Sequence, residues 1–167
     1  MARLPGALEA NRAGPQKGYR PCVGLMLIDR AGRLFIGERR GPLLDAWQMP
    51  QGGIDPGESP LVAARRELKE EVGTERAELL AESRYWYAYD LPPELRPAHW
   101  DPGYRGQSQK WFAFRFTGSD ADIDLATHHP EFDRWRWASA DEVLRLIVPF
   151  KRPAYQAVLA EFADLLR

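Results

Sequence analysis

Only one cysteine, Cys22, occurs in the 167 residues, so no disulfide can close within the chain and a reducing compartment is the expected setting. It lies inside the apolar run CVGLMLI, where a small buried hydrophobe is its simplest role. No apolar run approaches the ~20 residues of a membrane span. The opening segment, MARLPGALEANRAGPQKG, carries Arg3 and Arg12 but no apolar stretch of signal-peptide length. The expectation is a soluble, cytoplasmic protein with no membrane partner. An excess of charge is missing too: 23 Lys and Arg against 24 Asp and Glu leave a formal net charge of −1. That balance provides no whole-protein attraction to DNA, RNA or anionic lipid, so any nucleic-acid contact must be local. Internal repeats are absent, and nothing in the sequence names a protein partner.

What is present fits one domain with a real core. Residues 1–17, rich in Ala, Gly, Pro and polar side chains, read as a flexible tail, leaving 18–167 as a single domain. Residues 22–28 and 33–39 around the turn DRAG read as a hairpin. Trp47–Met49 reads as a short strand, and QGGIDPGESP (51–60) as a loop. Ser59 is a suitable N-cap and Pro60 suits the first helical position, with Gly73 closing the helix after Val72. Leu61, Ala64, Leu68 and Val72 form its apolar stripe. Strands are expected at 79–91, 109–116 and 132–139, and the proline-rich segment 91–106 is too long for an ordinary connection. Ser139 and Glu142 make a capping box for a helix over 140–147, and an amphipathic helix follows Pro153, with Tyr155, Val158, Leu159, Phe162 and Leu166 inward. The order is α/β, with helices on the faces of a mixed sheet.

The helix after the glycine loop carries RRELKEEVG, with Glu67, Glu70 and Glu71 about 130° from its apolar stripe. Like charges at this spacing cost roughly 0.2–0.5 kcal/mol per pair. A solvated acidic face, paired with Arg65, Arg66 and Lys69, is the plainest account of the helix alone. Its chemistry also suits a hard cation such as Mg²⁺ or Mn²⁺, and the preceding glycines allow a backbone carbonyl to come close.

The full segment GGIDPGESPLVAARRELKEEVGT resembles the Nudix box of the Nudix hydrolases. Gly52, Glu58, Arg66, Glu67, Glu70, Glu71 and Gly73 occupy its single-residue positions; Thr74 departs where an aliphatic is usual. The resemblance implies an α/β/α sandwich around a central mixed sheet and Mg²⁺-dependent cleavage of phosphoanhydrides, with Mn²⁺ as a substitute and two or more ions. By position, Glu67, Glu70 and Glu71 match the metal-binding and base-supplying glutamates, and Gly52 offers its carbonyl. Glu58 and Arg66 match the pair that braces loop against helix.

Further stretches, GYRPCVG, WQMPQGG, GQSQKWFAF, PEFDRWRWAS and VPFKRPAYQAV, resemble the bacterial RNA pyrophosphohydrolase family and its relatives that cleave diadenosine polyphosphates. On that resemblance Glu131 joins the metal site, Arg20 contacts phosphates, and Phe150 stacks on a base bordered by Val148 and Lys151. Arg40 and Lys110 are further candidates for phosphate or base, and Gln48 and Gln51 flank the glycine loop. Trp111, Trp135 and Trp137 read as core. Cys22 stands where the family usually has Asn, and the loop GPLLDA (41–46) is longer and more apolar than usual. The implied activity is conversion of 5′-triphosphate RNA to 5′-monophosphate RNA. The alternatives are hydrolysis of diadenosine tetra- or pentaphosphate and, in a different class, a non-catalytic nucleotide- or RNA-sensing module.

Overall fold

The computed structural model describes residues 2–4, 8–41, 46–128 and 130–167; the core of the GPLLDA loop, 42–45, lies outside them. Its centre is β3 (Tyr19–Ile28), which pairs in parallel with β8 (Gly106–Phe116) along its whole length. On the other side β3 pairs antiparallel with β6 (Gln51–Gly53) and, at its far end, with β4 (Leu34–Arg39). The sheet continues from β8 to β7 (Ala77–Asp90), β2 (Leu8–Asn11) and β1 (Ala2–Leu4), and from β4 to β5 (Trp47–Gln48) and β9 (Phe132–Ala138). Nine strands among the described residues thus form one mixed sheet.

The apolar run of β3 is continuous because the strand is covered on both faces. Val23, Leu25 and Leu27 join one core with Phe112, Phe114, Ala64, Leu68 and Val72. Met26 and Ile28 join the other with Trp111, Ala113, Val143, Tyr155, Val158 and Phe162. Helix α1 (Pro60–Glu67) covers the first face; α2 (Ala140–Leu146) and α3 (Arg152–Glu161) cover the second. The expected α/β/α sandwich is therefore the observed one. Gly24 is required here, since a Cβ would overlap the buried Trp111 ring. Trp111 is core as expected, and half-buried Trp135 and Trp137 pack on the α1-side cluster.

The caps hold: Val62 N donates to Ser59 Oγ at 3.2 Å, and Ser139 and Glu142 form the reciprocal box. The α1 helix differs at its end, where the last turn, Leu68–Val72, is π-helical. Gly73 then turns the chain with φ 77°, and a Cβ there would strike the Asp124 carbonyl.

Residues 8–16 are not the free tail that composition suggested. Leu8–Asn11 add a strand to β7, with Leu8 and Ala10 buried. Gln16 Nε2 donates to the Trp86 carbonyl at 2.9 Å, and its Oε1 accepts from Ser108 Oγ. LEAN alternates apolar and polar over four residues, too short a pattern to stand out from a tail. Likewise QGG, read as loop, begins with the short strand β6.

Candidate active site

The C-terminal half of the acidic helix lies against β6. Glu67 and Glu71 are both buried, Glu67 over Gly52 so closely that a Cβ on the glycine would overlap its carboxyl. Glu71 Oε2 accepts from the Gln51 backbone N–H at 2.9 Å. Burial pushes the Glu67 carboxyl up to about 7, with Glu70 and Glu131 adding repulsion and Arg66 opposing. Burial, then the charges of Glu67 and Glu131, pushes Glu71 well above the usual carboxylate range. Glu70 stands at the rim, its side chain 52% exposed. Helical-wheel geometry treats the three as one face; packing divides them into two buried groups and one wet one.

Arg66 organises this cluster. Its Nε and Nη2 each donate to a Glu58 oxygen at 2.8 Å, and Nη2 also reaches the Gly53 carbonyl at 2.8 Å. Its Nη1 donates to Glu67 at 2.8 Å and Glu70 at 3.1 Å. The guanidinium holds Glu58 down to about 2, helped by the Asp55 N–H. The expected brace between loop and helix is present, and Arg66 also reaches two of the box glutamates themselves.

A cleft of about 390 Å³ opens over this cluster, lined by Glu67, Glu70, Glu71, Glu131, Gly52, Gly53, Arg20, Arg39, Gln48, Gln51, Gln107, Pro97, His99 and Trp100. A second cavity of about 210 Å³ adjoins it, sharing Arg39, Gln51, Pro97, Trp100 and Gln107 and adding Arg40, Phe150, Lys151 and the start of the proline-rich loop. Floor amides are interlinked: Gln109 Nε2 donates to Gln51, Tyr89 and Gln107 oxygens.

The expected residues are thus mostly brought together. Arg20, Glu131 and the box glutamates share the first cavity, and Phe150, Lys151 and Arg40 the second. Phe150 is half-buried, its ring 6.3 Å from Tyr89. Lys151 is buried, with Nζ donating to Gln48 Oε1 at 3.0 Å, and burial together with Arg39 pulls it down to about 7. Arg40 is tied to Asp133 at 2.7 Å. Val148 lines neither cavity and packs at the edge of the α2–α3 core. Lys110 is also outside both: it shares the α1-side face of β8 with Phe112 and Phe114 and points to Glu82 at 3.4 Å. Cys22 is fully buried beside Arg20, and burial pushes its thiol up to about 12, so it is inert at neutral pH.

Sequence reasoning missed Arg39, Trp100 and Gln107. The signal for Gln107 was available: it alternates with Gln109 on the face of β8 opposite Phe112. Arg39 and Trp100 carry no local mark that separates them from Arg40 and other loop aromatics.

No three acidic, histidine or cysteine groups among the described residues are drawn into one closed metal cluster. The donors are carboxylate and carbonyl oxygens, the hard type that suits Mg²⁺ and its relatives. Of the cations beside the two raised carboxyls, Arg66 offsets Glu67 and Lys151 offsets Glu71, each against more than one neighbouring carboxylate.

The NUDIX domain family model matches residues 18–158. The chain belongs to the Nudix family. This Nudix hydrolase is 52% identical over 149 residues to the RNA pyrophosphohydrolase of Rickettsia africae (strain ESF-5), covering 89% of this chain and 92% of that one. It is 51% identical over 149 residues to that of Rickettsia typhi (strain ATCC VR-144 / Wilmington), with the same coverage. Its fold resembles the E. coli dihydroneopterin triphosphate pyrophosphohydrolase (TM-score 0.65, 20% identity, 87% of this chain and 98% of that one). It also resembles a C. elegans Ap4A hydrolase (TM-score 0.61, 18% identity, 86% and 98%). Nudix hydrolases generally use divalent ions such as Mg²⁺. No helix among the described residues is long and apolar enough to cross a membrane.

Proposed function

We propose that this Nudix hydrolase removes phosphates from the 5′-triphosphate end of RNA, leaving a 5′-monophosphate. The observation that carries the reading is the pair of adjoining cavities: buried glutamates and Arg20 in one, half-buried Phe150 in the other, and Arg39 bordering both. The 52% identity to proteins named RNA pyrophosphohydrolase supports the RNA end as substrate. A recogniser of an end needs little contact along the strand, in keeping with a net charge of −1.

Two or more Mg²⁺ ions, with Mn²⁺ as substitute, would be held by Glu67, Glu70, Glu71, Glu131 and the Gly52 carbonyl. When bound, such ions neutralise phosphate oxygens and acidify a water. Arg20 and Arg39 offset the remaining charge of the phosphate chain. Phe150 stacks on a base, and Lys151 borders it while Gln48 holds its ammonium. Glu67, buried against Gly52 at the centre of the cluster, is the glutamate assigned to accept the proton of the attacking water. A phosphorus–oxygen bond forms to that water, the anhydride bond breaks, and its electrons leave with pyrophosphate or, in successive steps, phosphate.

The test is competition. The protein with Mg²⁺ is given 5′-triphosphorylated short RNA and diadenosine tetraphosphate, and kcat/KM values are compared. A higher value for RNA is expected; a strong preference for the dinucleotide reverses the assignment. Glu70→Gln should abolish turnover, and unchanged turnover would exclude the box as the catalytic centre.

A further inference from the structure

Two arginines that meet at Gly53 are held in opposite ways. Arg66 is fixed by carboxylates, which use up its N–H groups. Arg20 has no carboxylate partner among the described residues. Its one described side-chain hydrogen bond is a weak contact from Nη1 to Cys22 Sγ at 3.8 Å. Instead its guanidinium lies against the backbone of Gly53, where a Cβ would overlap Nη2. Its central carbon stands 5.7 Å from the centre of the Trp100 ring. Neither surface takes a hydrogen bond from it.

Trp100 reaches Arg20 because its loop is tied down. Leu91 N donates to Arg105 O, and Arg105 N to Gly18 O, each at 3.0 Å, closing the base of the loop two residues from Arg20. Within it Trp100 N donates to Pro97 O at 3.1 Å, and Tyr104 meets the indole edge-on at 6.4 Å. The indole is half-buried and borders both cavities.

We propose that Trp100 is the positioning residue for Arg20: its π face holds the guanidinium over the cleft while leaving the N–H groups free for a phosphate. A carboxylate in the same place would hold the arginine as firmly but would neutralise it and occupy its donors. The loop 91–105 therefore contributes to phosphate binding through the arginine of another element. This rests on the reading of Arg20 as a phosphate ligand.

A double-mutant cycle tests it, using Arg20→Ala, Trp100→Leu, both together, and Trp100→Phe. Leucine keeps an apolar plug in the loop and removes the π face, and thermal melting checks that each variant is folded. With 5′-triphosphorylated dinucleotide RNA and Mg²⁺, Trp100→Leu is expected to raise KM about 2- to 30-fold, the range of a cation–π contact, with less effect on kcat. Trp100→Phe should recover most of the loss. In the Arg20→Ala background the leucine substitution should change KM by less than about twofold. Equal losses in both backgrounds, or phenylalanine no better than leucine, would overturn the proposal. If the wild type turns over neither RNA nor diadenosine tetraphosphate, the reaction has been misread. The same cycle run on equilibrium binding of inorganic pyrophosphate then decides the Trp100–Arg20 coupling separately.

Discussion

Glu67→Gln should make the metal-free protein more stable, not less. The buried Glu67 carboxyl is raised from 4.5 to about 7, so its charged form is disfavoured in the fold. That gap corresponds to about 3 kcal/mol when the group is fully ionised. A glutamine keeps the shape and can still accept from Arg66 Nη1, but its amide NH2 replaces a carboxylate oxygen at a buried site, an offset of about 1 kcal/mol. Glu71, pushed up in part by Glu67, is relieved at the same time. The net gain of about 2 kcal/mol translates to a Tm rise of roughly 4–8 °C for a chain of this size. The pH dependence has a fixed sign. A raised pKa contributes stability that is complete below the unfolded value of 4.5 and is lost as pH rises through about 7. Thermal melts in EDTA at about pH 8.5 should therefore show the gain, and melts at about pH 5 should show almost none. Saturating Mg²⁺ should reverse the order, raising the wild type by about 3 kcal/mol at a hundredfold excess over its Kd and the variant by less. A variant no more stable than wild type at the higher pH, or equally shifted at both, would refute the electrostatic account of the cluster.

Other outcomes follow from single contacts. Gly73→Ala places a side chain at φ 77° against the Asp124 carbonyl and should cost about 2 kcal/mol or more in urea unfolding. Leu8→Ala should cost about 2–5 kcal/mol because Leu8 is 1% exposed, whereas a free tail would show no change. Phe150→Ala should weaken substrate binding by about 1–3 kcal/mol, read as a higher KM.

The helix was legible because capping and glycine placement are local patterns, while its carboxylates read as a solvated face until the whole segment showed its resemblance to the Nudix box. Ser59, Pro60 and Gly73 mark the ends, and the stripe at Ala64, Leu68 and Val72 faces the core. The split of the glutamates was not legible. An acidic run reads as solvated, and only the missing Cβ of Gly52, on a strand brought over by β3, makes room for Glu67 to sink. The N-terminal strand escaped notice because it depends on a partner, β7, that is far off in the chain, with Glu9 opposite Ala88 and Asn11 opposite Trp86. Lys110 shows a different lesson, since position in a motif does not fix direction. Its parity with Phe112 and Phe114 was readable and aims it away from the amide-lined cleft. Trp100 lies in a segment whose length marked it as more than an ordinary connection, although nothing local linked it to Arg20.

The parallel seam between β3 and β8 also governs how the molecule is made. It joins Tyr19 to Gly106 and Ile28 to Arg115, and both cores are built across it. The acidic helix leaves the ribosome well before the strand that completes its apolar bed. Until residues 106–116 emerge, Val23, Leu25 and Leu27 lack Phe112 and Phe114 as neighbours. At synthesis rates of about 5–20 residues per second, the nascent chain carries exposed apolar strands for several seconds. Loop closure over such a separation must precede any reward from packing, so folding is expected to be late and cooperative, completed by the last strands and helices to be translated.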